Sequence, residues 1–226
     1  VNAPLAAKAF QARSISLASR YGGRTVLAIG AHPDDLELAI GGMLARLSRE
    51  SARVVMAVVS IPADFETRRA EAQRAAEILG CELRILMDDE ARRIDDIKNY
   101  QLVGMLDALV RELQPAAVLT HSANEFHRDH VTVHNACIST QRLKPFDFFH
   151  FNPTMCRPVP VQFYPRAYVD VSTTLDLKME AIAAHVSQFG ARGLEAEMYR
   201  DLARLTGRMV GVKYAEGIDV SRMLLA

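Results

Sequence analysis

The chain of 226 residues carries no net charge, because 27 Lys and Arg balance 27 Asp and Glu. It therefore has no global field to draw it to nucleic acid or to an anionic membrane, and neither is expected as a partner. Cysteine is scarce. Cys81, Cys137 and Cys156 are widely spaced and odd in number. That argues against a disulfide framework, lacks zinc-ribbon spacing and points to a reducing compartment, the cytoplasm. No apolar run approaches the roughly 20 residues that cross a bilayer. Val1 to Arg20 are Ala- and Ser-rich and lack the compact apolar core of a secretory signal. Internal repeats, low-complexity tracts and a phosphate-cradling Gly-rich loop are also missing.

What is present is an ordinary globular balance, 50% hydrophobic and 24% charged, in a length that suits one domain with a real core. Strand-like and helix-like segments alternate. Strands are expected at 24–29, 53–59, 82–87 and 116–120. Helices are expected at 36–50, 66–79 (closed by Gly80), 96–113 and 129–142. Short buried strands alternating with amphipathic helices imply a mainly parallel sheet covered on both faces. The expected fold is a single α/β, Rossmann-like three-layer domain over 1–226, with an N-terminal extension at 1–22. Residues 144–166, with prolines and a cluster of Phe and Tyr, read as a loop region near the site. A strand at 168–171 follows, then a helix capped by Ser172 or Thr173 that runs to about His185, and a last helix at 194–205. The segment 218–226 is apolar enough to hint at an interface in a homo-oligomer.

Two clusters of polar residues lie just beyond expected strand ends, where open α/β sheets place ligands. The first is His32-Pro33-Asp34-Asp35. One of the aspartates can simply cap the helix that starts near Leu36. With His32 three residues before Asp35, the pair can instead share a metal while Asp34 is left as a base. Gly41 and Gly42, early in the same helix, serve either close packing or an uncrowded site. The second cluster runs from His121 to His130 and contains His127 and Asp129. His130 and His134 are one helical turn apart and could bind zinc as a pair, so spacing alone does not choose among His127, His130 and His134. His121 could act behind the ligands. Cys137 reads as a small core residue.

The stretch Ala31-His32-Pro33-Asp34-Asp35-Leu36-Glu37, followed by Gly41-Gly42, resembles the first signature of the LmbE/PIG-L family of zinc-dependent N-deacetylases. His127-Arg128-Asp129-His130 is similar to its second signature. Arg68 to Glu71, Lys178, His185 with Ser187-Gln188, and Tyr214 to Gly217 resemble further landmarks, so the likeness spans about 24–220. Leu36 before Glu37 and Arg128 in place of proline depart from the family pattern without removing a chemical group. The resemblance implies zinc held by His32, Asp35 and His130. It implies Asp34 as general base, His127 stabilising the oxyanion or acting as acid, and Asp129 orienting His127. It also implies Arg68 and Gln188 as substrate-binding residues, and a small-molecule amino-sugar conjugate as substrate, from which an N-acetyl group is removed. The Phe-rich stretch is either an apolar wall for an aglycone or core, and burial tendencies favour the core. The alternatives are a metal-dependent phosphohydrolase, disfavoured because magnesium prefers oxygen ligands, and a non-catalytic glycan-binding relative.

Overall fold

The computed structural model describes residues 16–153, 162–190 and 196–224. Along the chain come α1 (Leu17–Tyr21), β1 (Thr25–Gly30), α2 (Asp35–Arg49), β2 (Arg53–Val58), α3 (Phe65–Leu79) and β3 (Glu82–Ile85). Next are α4 (Asn99–Leu113), β4 (Ala117–His121), α5 (Arg128–Thr140), β5 (Asp147–Phe151) and β6 (Ala167–Asp170). Then follow α6 (Leu175–Ala183), α7 (Val186–Phe189), α8 (Glu197–Val210) and β7 (Ala215–Arg222). The strands form one seven-stranded sheet in the order β3-β2-β1-β4-β5-β7-β6. The first five are parallel, and β7 runs antiparallel to both of its neighbours. Among the described residues no helix is long and apolar enough to cross a membrane.

The core lies on both faces of the sheet, as the apolar strands require. Val26 and Ala28 of β1 join α2 and α3 in one cluster, while Leu27 and Ile29 join α4 and α5 in the other. The chain winds from β1 outward to β3, then returns to place β4 on the other side of β1 in the register Ile29↔Thr120. The carboxyl ends of β1 and β4 thus flank the point where strand order reverses, the usual crevice for ligands.

Several expectations change. The segment 144–166 is not simply a loop. Asp147–Phe151 is β5, a buried strand beside β4, and Phe146, Phe148, Phe149 and Phe151 are core residues, as burial tendencies favoured. Residues 154–161 lie outside the described residues. Much of the apolar segment 218–226 belongs to a strand, because Ala215–Arg222 is inserted between β5 and β6; residues 225–226 lie outside the described ones. The expected helix at 96–113 is a short 3-10 turn, Ile94–Asp96, followed by α4. The helix after β6 starts past Thr174, whose hydroxyl donates to Gly42 O (2.8 Å) and does not cap α6. Within the expected 1–22 extension, residues 1–15 are outside the described ones. Arg20 and Tyr21 of α1 both donate to the Asp147 carboxylate of β5.

Gly41 and Gly42 are packing glycines. A Cβ on Gly42 would lie 2.8 Å from Val171 Cβ, and one on Gly41 would lie 3.3 Å from Lys178 Cγ. Helix α2 is broken at Ile40, where φ is −137°. Its first turn, which carries the acidic residues of the first cluster, therefore takes its own direction.

Candidate metal centre and active site

The β1–α2 turn is shaped by Asp34. Its backbone sits at φ 96°, ψ −29°, a left-handed conformation that costs a non-glycine residue about 1–2 kcal/mol. Asp34 occupies the N-cap position of α2, yet its side chain makes no capping bond. Of the two readings of the Asp pair, capping is therefore not the one realised. Burial and the neighbouring Asp35 carboxylate push the Asp34 carboxyl up to about 7. Asp35 goes the other way. Burial opposes its charge, but the His130 imidazole, 3.1 Å away, outweighs burial and holds it well below the usual carboxylate range. The two adjacent carboxyls are thus shifted in opposite directions, an arrangement found where one group is a fixed anion and the other exchanges protons.

Asp35 is the hub. Its Oδ1 lies 3.1 Å from His130 Nε2, its Oδ2 lies 3.3 Å from His121 Nε2, and the His32 backbone N–H donates to Oδ2 at 2.8 Å. His121 is fully buried, and its Nε2 accepts from the Ala31 N–H at 2.9 Å. An unprotonated ring nitrogen and a carboxylate oxygen then face each other without a proton between them, a contact that a shared cation relieves. His130 is pulled up to about 10: burial works against its charge, but Asp35 and Glu125, whose carboxylate is 3.4 Å from His130 Nδ1, more than compensate. Burial and His130 push His121 down to about 4.

The second cluster enters from the start of α5. His127 is the N-cap of that helix, its Nδ1 accepting from the Asp129 N–H at 3.2 Å. A neutral His127 therefore carries its proton on Nε2. Burial, then the nearby His130 and His32, lower its pKa. The Asp129 carboxylate pairs with His32 Nε2 at 3.0 Å, so it is the backbone of Asp129, and not its side chain, that holds His127.

Two sets of three side chains each bring one donor atom to within 4.8 Å of one another: His32, His127 and His130, and Asp35, His121 and His130. The expected trio of His32, Asp35 and His130 is divided between them, with His32 Nδ1 3.9 Å from Asp35. These imidazole and carboxylate donors suit a divalent transition metal, and the separations around Asp35 approach the ~3.3 Å expected between ligands of a tetrahedral zinc. His134 does not join them. Its Nδ1 lies 2.8 Å from the backbone oxygen of His121, and it supports the strand end.

Behind the carboxylates is a buried polar layer. Arg68 of α3 donates to the Pro33 carbonyl at 3.1 Å and clamps the turn that carries Asp34. His185 Nε2 is 3.1 Å from Glu37 Oε1, and both side chains are buried. The backbone N–H and hydroxyl of Ser187 both donate to Glu71 of α3, while the Gln188 amide donates to Ser187 Oγ at 3.2 Å. Glu125 was absent from the sequence expectations. Its only signal there is an acidic residue within a His-rich loop.

Residues 27–140 match the PIG-L profile, GlcNAc-PI de-N-acetylase, and the chain belongs to that family. It is 29% identical over 185 residues to the uncharacterized deacetylase YaiS of Escherichia coli K12, covering 77% of this chain and 97% of that protein. It is 26% identical over 226 residues to the diacetylchitobiose deacetylase of Thermococcus kodakarensis, covering 86% of this chain and 82% of that one. Among solved structures, GalB from Pseudomonas putida KT2440, a 4-carboxy-2-hydroxymuconate hydratase, superimposes with a TM-score of 0.74 at 21% identity, covering 90% of this chain and 98% of that chain. That last likeness is one of fold alone, and the fold by itself does not select the reaction.

Proposed function

We propose that the protein is a zinc-dependent N-deacetylase that hydrolyses the acetamide of an N-acetylated amino-sugar conjugate, giving acetate and a free amine. The observation that carries this reading is geometric: His32, His127 and His130, and Asp35, His121 and His130, each bring donor atoms within 4.8 Å of one another, in the turn where Asp34 adjoins Asp35. In this reading His32, Asp35 and His130 hold the metal, and Glu125 braces His130. When bound, zinc polarises the amide carbonyl and acidifies water.

The remaining work falls to the chain. Asp34 accepts the proton of the attacking water and returns it to the departing amine nitrogen, a task suited to a pKa near neutrality. His127 donates from Nε2 to the oxygen that becomes negative as the carbonyl carbon turns tetrahedral. Asp129 keeps that nitrogen available through its N–H to Nδ1 and restrains His32 through its carboxylate. Arg68 and Gln188 bind the sugar or the groups beside it. Free Cys81 and Cys137 agree with a reducing, cytoplasmic setting.

The test is acetate release from a panel of N-acetylglucosaminyl compounds, including chitobiose and antibiotic and thiol-cofactor precursors, with metal content measured on the same sample. Release dependent on about one zinc per chain supports the proposal. A protein that carries metal but hydrolyses no acetamide, or one that hydrolyses after complete chelation, would overturn it.

A further inference from the structure

The start of α2 carries Asp35 on a piece of helix that its own backbone does not hold. The break at Ile40 separates residues 35–39 from the rest of α2, and Asp34 leaves the start without a side-chain cap. So few helical residues are not stable alone. Leu36 packs in the core. Apolar burial is non-directional, so it fixes where the piece sits better than how it is turned.

Two polar bonds supply the direction. Arg68 donates to the Pro33 carbonyl at 3.1 Å, just before the piece, and His185 Nε2 meets Glu37 Oε1 at 3.1 Å within it. The imidazole and the carboxylate are 0% and 3% exposed. An N–H given to a carboxylate is a strong, directional bond. His185 has no other side-chain bond, because its Nδ1 is buried without a partner, and it is not among the side chains whose donor atoms converge on the metal position.

His185 is itself held in place. It is the N-cap residue of α7, and its carbonyl accepts from the backbone N–H groups of Gln188 (3.0 Å) and Phe189 (2.9 Å). Ser187 gives its N–H (2.7 Å) and its hydroxyl (2.6 Å) to the Glu71 carboxylate. Glu71 follows Arg68 by three residues on α3, so the two lie on one side of that helix. The bonds Arg68–Pro33, Glu71–Ser187 and His185–Glu37 thus form a closed circuit through α2, α3 and α7.

We propose that His185 is a positioning residue of the metal centre, which through Glu37 fixes the first turn of α2 and with it the direction in which Asp35 presents its carboxylate to the metal. The inference rests on the reading in which Asp35 is a ligand. Coordination distances tolerate deviations of only about 0.2 Å, so a slight rotation of this turn lowers affinity without unfolding the domain.

Competition with a chromogenic chelator measures zinc affinity on the intact chain without substrate. His185→Leu should weaken zinc binding about tenfold or more, as loss of an outer partner does. His185→Gln, whose side-chain amide donates from near the place of Nε2, should keep most of the parent's affinity. A purely structural role is separated by thermal unfolding of the metal-free proteins. His185→Leu strands a buried carboxylate and should lower the midpoint, and adding Glu37→Leu should restore it. The double variant should regain stability but not affinity, and it decides the matter even where His185→Leu alone does not fold. Affinity that returns with stability overturns the proposal, as does a His185→Leu protein that binds zinc as tightly as the parent. A parent that takes up no zinc overturns the metal reading itself, and this inference with it.

Discussion

Lys178 and Glu216 form a buried ion pair, Nζ to Oε1 at 2.6 Å, and the same carboxylate accepts from the backbone N–H groups of Gly42 (3.0 Å) and Met43 (2.6 Å). These amides lie just past the break at Ile40, where regular helical hydrogen bonding is interrupted. Glu216, on β7, thus starts the second half of α2 as an acidic residue starts any helix, and Lys178 of α6 balances its charge. Glu216→Gln should strand a buried lysine and cost about 3–5 kcal/mol, seen as a lower midpoint in thermal or urea unfolding. Adding Lys178→Met should recover much of that loss. A single variant as stable as the parent would mean that the pair does not hold the break.

Asp34→Asn should remove turnover while leaving metal content unchanged. The amide keeps the size of the carboxyl but accepts no proton at neutral pH. Loss of metal together with activity would reassign Asp34 from base to ligand. The assay is steady-state acetate release alongside metal analysis of the same preparation.

Glu125→Gln should weaken zinc binding about 10- to 100-fold, as loss of a carboxylate behind a ligating histidine does. The reason is the 3.4 Å approach of Glu125 to His130 Nδ1. Competition with a chromogenic chelator measures it without any substrate, and unchanged affinity would confine Glu125 to the loop's own packing.

Acid stability should depend on Asp147. Burial raises its pKa, but bonds from Arg20 and Tyr21 outweigh burial and leave it below the ordinary carboxylate value. A carboxyl with a depressed folded-state pKa stabilises fully above its unfolded value of about 3.9, and that contribution disappears as pH falls through the folded value. Urea midpoints of the parent should therefore fall more steeply below about pH 4 than those of Asp147→Asn. Parallel curves for the two proteins would remove Asp147 from the acid transition.

The parallel core and both polar clusters were legible because they use strong local signals: short apolar strands, helical periodicity, and histidines and aspartates at strand ends. Strand β5 was hidden by its surroundings. Its aromatic run lies in a proline-rich stretch, so the core character of Phe148 and Phe151 was legible but their place in a strand beside β4 was not. Strand β7 has a mixed burial pattern and contains Gly217, where a Cβ would lie 2.6 Å from Pro165, a contact invisible in sequence. The site was legible in membership more than in connection. Asp34 and Asp35 look alike as letters, and it is the left-handed backbone at Asp34 and the imidazoles around Asp35 that separate them. Likewise, the carboxylate of Asp129 meets His32 from the other loop, a pairing between residues 97 positions apart.

The bond from the Ala31 N–H to His121 joins residues 90 positions apart. Neither half of the metal centre is complete without the other, so a growing chain has no such centre until α5 has emerged and β4 has docked beside β1. Metal capture then marks the closing of the sheet during synthesis, and the energy of binding is added to the long-range pairing that forms most slowly.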